Sequence, residues 1–282
     1  VPVNEFVEAT RSRSGLSSFG LLDRHAPDVT EVDSNPLAAL LDGLRDEAGD
    51  GRDPLAGIME PVPASERVDA DFGHLRIPVE AMQAAIQLAW DTGRRGCNLL
   101  LHGAPGNGKT QIARLLAGKL GAAAFEVPVG DEDGDPRPGD SRARSAVLCQ
   151  HALVGLERPL LLFDEAEDLF PVPSLSWLFD ARSRPKKGWI NSLLEGTQVP
   201  TIWIANEVRH IDPAILRRFD LILEVPAPPR ATRSRLLDHA LPAASVSARW
   251  REQLLGLEDV SPAELERLSK AHAFAPKGQT VE

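Results

Sequence analysis

Eight consecutive residues, "GAPGNGKT" from Gly103 to Thr110, constrain this chain more than any other feature. They fit the pattern G-x-x-x-x-G-K-[ST]. They also lie between a strand-length apolar run, "CNLLLHG", and a stretch of helical periodicity, "KTQIARLLAGKLG". In that stretch Ile112, Leu115, Leu116 and Leu120 share one face, and Gly121 is the expected stop. Glycines in such a loop let backbone N–H groups turn inward around an anion. A helix that begins directly after the loop adds the positive end of its dipole. A lysine at this position reaches terminal phosphates, and a hydroxyl beside it offers an oxygen to a divalent cation. The residues expected to hold a phosphorylated ligand are therefore Gly103, Ala104, Pro105, Gly106, Asn107, Gly108, Lys109, Thr110 and the adjoining Gln111.

Composition narrows the classes around this loop. With 282 residues and 43% apolar side chains, the chain can bury a sizeable core in one large domain or two smaller ones. No run approaches the length of a membrane span, and "VPVNEFVEATRSRSG" has no apolar signal core. Two cysteines far apart, Cys97 and Cys149, make neither a disulfide framework nor a zinc site, which fits a reducing, cytoplasmic compartment. A net charge of −10 argues against strong non-specific binding of nucleic acid. The chain opens at Val1 without Met, as a piece of a longer protein or a product of a non-standard start would.

Three regions follow from texture. Residues 1–70 are rich in Asp, Ser, Gly and Pro and read as an arm or linker. One short amphipathic helix is expected within it, with Leu37, Leu40, Leu41 and Leu44 on one face; it docks either on its own domain or on a partner. Residues 71–226 alternate apolar strands with helices, beginning with a helix from Pro78. Continuous apolar strands of this kind predict an α/β fold with a parallel sheet covered on both faces. Residues 227–282 hold only helical patterns, a small C-terminal lid expected to be incomplete at Glu282.

Further chemistry lies downstream. "PLLLFDEAEDL" is a buried strand ending in Asp164 and Glu165, at the tip where a parallel sheet meets its ligand. Asp164 is expected to hold the cation with Thr110, and Glu165 to polarise an attacking water. Glu167 and Asp168 read as solvated charges of a helix start. Asn206 closes the strand "TIWIAN", where an amide can bond a phosphate or serve a turn. In "IDPAILRRFD", Asp212 and Pro213 open a short helix that ends at Arg217 and Arg218. These two are either a solvated basic pair or an arginine finger that offsets charge on a transferring phosphoryl group.

In this order and spacing the elements resemble the AAA+ ATPase family over about residues 71–275. "GAPGNGKT" looks like its Walker A motif, "LLLFDE" its Walker B, Asn206 its sensor 1, and "IDPAILRRFD" its second region of homology. The resemblance implies a P-loop NTPase with a five-stranded parallel sheet in the order 5-1-4-3-2, sandwiched by helices, plus a helical lid. It implies ATP and Mg²⁺ as cofactors, with Lys109, Glu165, Asn206, Arg217 and Arg218 catalytic and Thr110 and Asp164 on the metal. It further implies a homo-oligomeric ring, a hexamer by preference, whose ATP sits between subunits. There Arg217 and Arg218 act on a neighbour's nucleotide, Arg218 being the favoured finger. The sequence departs from the family where an aromatic pore loop is implied: residues 130–141 are acidic and contain no aromatic side chain. The expected function is ATP hydrolysis coupled to remodelling of a protein partner. The alternatives are a nucleic-acid-dependent motor or loader, suggested by Arg182, Arg184, Lys186 and Lys187, and a slow nucleotide-switch scaffold.

Overall fold

A computed structural model describes residues 58–130, 135–137, 139–170, 187–240, 248–257, 260–265 and 267. The Leu37–Leu44 segment, the acidic residues 131–134, and Arg182, Arg184 and Lys186 lie outside the described residues.

The chain enters the described region as a two-residue strand β1 (Glu60–Pro61), and a 3-10 segment (Asp69–Leu75) leads into α1 (Arg76–Thr92). There follow β2 (Asn98–His102), α2 (Lys109–Leu120), β3 (Ala123–Glu126), α3 (Gly139–Leu153) and β4 (Pro159–Phe163). A 3-10 turn (Ala166–Leu169) precedes α4 (Lys187–Glu195), β5 (Thr201–Ala205), α5 (Pro213–Leu216) and β6 (Leu221–Glu224). Two helices of the region expected to form the lid close the series, α6 (Arg230–Ala240) and α7 (Ala248–Gly256), and residues 262–265 are again helical.

The strands lie in the order β1-β3-β4-β5-β2-β6. The five parallel strands thus have the expected order, 5-1-4-3-2 read from the β6 side. The sheet nevertheless has six strands and not five, because β1 pairs antiparallel with β3, Glu60 opposite Glu126 and Pro61 opposite Phe125. Two residues carry no periodicity to read, and a proline is tolerated there because the strand is an edge.

Alternate residues of each central strand feed opposite layers. Leu99, Leu101, Leu160, Leu162, Ile202 and Ile204 pack under α1 and α2 with Met82, Ile86, Ile112 and Leu116. Leu100, Leu161, Phe163 and Trp203 pack under α3 and α4 with Ala146, Cys149, Ile190 and Leu194. Both faces are buried, which is why these strands read as unbroken apolar runs. A separate small cluster, Leu236, Leu237, Leu255 and Leu265, holds the lid helices together. Asn98, buried at the foot of β2, explains its place in an apolar run by its bonds: its amide donates to the Leu194 carbonyl (2.7 Å) and accepts from Trp203 Nε1 (2.8 Å). Among the described residues no helix is long and apolar enough to cross a membrane.

Candidate functional site

At the C-terminal end of β2 the chain turns through Gly103–Gly108 before α2 begins at Lys109. Gly103 has φ 144°, and a Cβ on it would lie 2.3 Å from the Val225 carbonyl oxygen, so only glycine fits against the end of β6. Asn107 braces the same point by donating from Nδ2 to that carbonyl at 3.1 Å. Gly106 meets the lid: a Cβ there would lie 2.9 Å from Ser261 Oγ, and the Ala263 N–H donates to the Gly106 carbonyl at 3.3 Å. The loop is therefore pinned between β6 and the start of the third lid segment.

Lys109 reaches back into the loop. Its ammonium donates to the carbonyls of Gly103 (2.8 Å) and Ala104 (3.1 Å) and to Asn206 Oδ1 (2.9 Å). Burial holds its pKa below the ordinary lysine value, opposed by the charges of Asp164 and Glu167. The Thr110 hydroxyl donates to Asp164 Oδ2 at 2.6 Å, and Asp164 Oδ1 accepts from the Glu165 N–H at 2.8 Å. Glu165 follows in the left-handed region (φ 52°, ψ 46°), an uncommon conformation for a non-glycine residue. These groups line a cavity of about 360 Å³, together with Arg67 and the lid residues Pro262 and Ala263. Paired hard oxygens, Thr110 Oγ1 and Asp164 Oδ2, stand beside a cradle that depends on its glycines. Their donor chemistry fits Mg²⁺ carrying a phosphate.

Of the residues singled out from sequence, Pro105, Gly106, Gly108, Lys109, Thr110, Gln111, Asp164, Glu165 and Asn206 line that cavity. Gly103, Ala104 and Asn107 serve from behind it, as close-packing point, carbonyl acceptor and brace. Gln111 also acts away from the cavity. Its Oε1 accepts from Ser65 Oγ (3.1 Å) and the Glu66 N–H (2.9 Å), which fastens the segment before Arg67 to α2. Arg217 and Arg218 do not reach the cavity of their own chain. The Arg218 guanidinium is spent locally on Glu195 Oε1 (2.9 Å) and the Ala214 carbonyl. Arg217 is exposed and its side chain has no bonded partner among the described residues.

Glu167 is not the solvated charge that its sequence suggests, whereas Asp168 is exposed as expected. Glu167 accepts from both the backbone N–H and the side-chain amide of Asn206, so it orients the amide whose oxygen faces Lys109. Asp168 faces the buried Arg142 at 3.6 Å. Glu167 is drawn in because the 3-10 turn Ala166–Leu169 lies against the tip of β5, a tertiary placement that local sequence does not encode. Arg67, Pro262 and Ala263 likewise reach the cavity through tertiary placement and carry no local signal.

Residues 99–227 match the model of the ATPase family associated with various cellular activities (AAA). A 26S proteasome regulatory subunit 4 homolog B of Arabidopsis thaliana is 26% identical over 242 residues, covering 79% of this chain and 52% of that protein. Peroxisomal ATPase PEX6 of Mus musculus is 27% identical over 253 residues, 81% of this chain and 24% of that protein. An "AAA ATPase forming ring-shaped complexes" of Bifidobacterium longum is 26% identical over 269 residues, 76% of this chain and 51% of that protein. The chain thus spans about half or less of the length of these relatives.

Proposed function

With residues 99–227 an AAA-family ATPase domain on a P-loop NTPase fold, we propose that this chain binds and hydrolyses ATP and couples turnover to the remodelling of a protein partner. One observation carries the reading. Lys109 and Thr110 on one wall, and Asp164, Glu165 and Asn206 on the other, converge on a single glycine-floored cavity.

In this reading the loop amides and Lys109 take the β- and γ-phosphates, exchanging the lysine's present carbonyl partners for phosphate oxygens. Thr110 and Asp164 would hold Mg²⁺, which supplies positive charge at the phosphates. Glu165 draws a proton from a water that attacks the γ-phosphorus as the bond to the β-phosphate oxygen breaks. Asn206, fixed by Glu167, orients that water or a γ-phosphate oxygen. A neighbouring subunit supplies the remaining positive charge through an arginine. Arg217 suits that role better than Arg218, being exposed and without a bonded partner among the described residues while Arg218 is held by Glu195.

A homo-oligomeric ring, with a hexamer preferred, fits a finger that cannot reach its own cavity, and a ring-forming relative supports it. The protein partner is supported by relatives named as a proteasome regulatory subunit and a peroxisomal ATPase. A cytoplasmic setting is supported by the two free, buried thiols Cys97 and Cys149. Steady-state phosphate release tests the reading, with Lys109→Ala and Glu165→Gln beside the unaltered chain. The unaltered chain should turn over and both variants should not, while Glu165→Gln keeps its affinity for ATP. Equal rates in all three would refute it.

A further inference from the structure

Among the described residues, Arg142 is the largest charged side chain sealed inside the domain: its side chain has no solvent exposure. It sits in the first turn of α3 and points under the acidic tip of β4. Its guanidinium donates from Nη2 to the Asp164 carbonyl and from Nη1 to the Glu165 carbonyl (3.4 Å), and Nε donates to the Pro128 carbonyl at 3.3 Å. Its Cζ stands 4.6 Å from the centre of the Phe163 ring, and Asp168 Oδ2 lies 3.6 Å from Nη1. One cation thus grips consecutive carbonyls on both sides of the peptide that aims Glu165.

Burying a guanidinium is costly unless its donors are satisfied. Here the acceptors are main-chain oxygens of the two residues assigned to chemistry, and the backbone they belong to is in an uncommon conformation, Glu165 at φ 52°. The third acceptor, Pro128, directly precedes Val129, whose carbonyl accepts from the Arg137 N–H at 2.9 Å, and Gly130, which bridges Pro136.

We propose that Arg142 is a positioning residue for hydrolysis: it fixes the left-handed turn at Glu165, and so the aim of that carboxylate, and ties it to the backbone at Pro128 just after β3. The proposal rests on the ATPase reading for its kinetic consequence, whereas the clamp itself can be read without turnover. A lysine keeps the charge but offers no planar fork to three carbonyls.

The test compares Arg142→Lys and Arg142→Gln, each in the whole chain, with the unaltered chain in three measurements. The first is amide hydrogen exchange of peptides spanning 160–170 and, as reference, 98–120. Protection should fall in the first span only, since the Asp168 N–H to Glu165 carbonyl bond closes that turn. The second is kcat against KM for ATP: kcat should fall by about tenfold or more with KM changed by less than about threefold, the mark of an interaction made in the transition state. The third is binding of a fluorescent ATP analogue, which should be unaltered. Unchanged exchange over 160–170 in a folded Arg142→Lys chain would overturn the proposal. So would a kcat loss matched by an equal loss of binding, or failure of both variants to fold, which would leave Arg142 a residue of stability alone. An unaltered chain no more active than Lys109→Ala would instead refute the ATPase reading, and the exchange result would still decide the clamp.

Discussion

Replacing Gly103 by alanine tests the cradle at its tightest point. An ordinary Cβ contact is about 3.4 Å or longer, whereas this one would be 2.3 Å from the Val225 carbonyl oxygen, so loop or strand end must retreat by about 1 Å. Retreat strains two bonds at Val225: its N–H to the His102 carbonyl (2.7 Å) and its carbonyl to Asn107 Nδ2 (3.1 Å). Each is worth about 1 kcal/mol net. Forcing an alanine to φ 144° costs a further ~1–3 kcal/mol. The sum is about 3–5 kcal/mol, which for a domain of this size lowers the melting temperature by roughly 10 °C. Differential scanning fluorimetry reads the shift, and a fluorescent ATP analogue reads the accompanying loss of affinity. Gly106→Ala is the control. Its new Cβ meets the side chain of Ser261, not backbone, at 2.9 Å, and the smaller penalty, about 1–3 kcal/mol, should fall mainly on the seating of the lid. A Gly103→Ala chain that melts within about 2 °C of the parent and binds as well would refute the close-approach argument.

Other outcomes follow from the same geometry. Glu167→Gln weakens the hold on Asn206 and should lower kcat by about tenfold, with nucleotide affinity unaltered in equilibrium binding. Arg217→Ala should cost on the order of 10³ in rate without moving the melting temperature, whereas Arg218→Ala, which severs the Glu195 pair, should move it. Mixing inactive Arg217→Ala with inactive Glu165→Gln subunits should restore phosphate release, and no recovery at any ratio would contradict an arginine acting in trans. His74, His102 and His151 are each held below the ordinary histidine pKa, chiefly by burial. The unfolded chain therefore binds more protons just below the ordinary value, and stability should fall as pH drops through about 6.5. Melting temperature against pH should show that slope, shallower in His102→Gln.

The fold was legible because its strands are buried on both faces. Leu99–Leu101, Leu160–Phe163 and Ile202–Ala205 are apolar at every position, so their length and their alternation with helical stretches sufficed to place them. The loop was legible because its chemistry is local, eight residues that must follow a strand and precede a helix. Asn206 stood out as a polar residue at a strand tip. What escaped was tertiary. Ile58 and Met59 are fully or nearly buried, yet their neighbours look like linker, and β1 is too short to show a period. Arg142 hid in "SRARS", where two arginines suggest a wet surface. Its signal was positional: Arg142, Ala146, Cys149 and Leu153 share a face, and the last three are buried, so the arginine occupies an apolar stripe. Glu167 and Asp168 could not be told from any acidic helix start until the 3-10 turn placed them against Asn206 and Arg142.

The short strand at Glu60 has a mechanical consequence. Ile58 is plugged wholly into the interior, where its carbonyl accepts from Cys149 Sγ of α3 at 3.5 Å, and the Val62 N–H donates to the Ala124 carbonyl at 3.0 Å, so the polypeptide is held by α3 before the pairing and by β3 after it. A tug on whatever lies ahead of Ile58 is thereby transmitted to β3 and next to β4, the strand that bears Asp164 and Glu165. Tension arriving at Ile58 meets β4, whose tip lines the glycine-floored cavity, before β5 and β2, and reaches β6 on the far margin last.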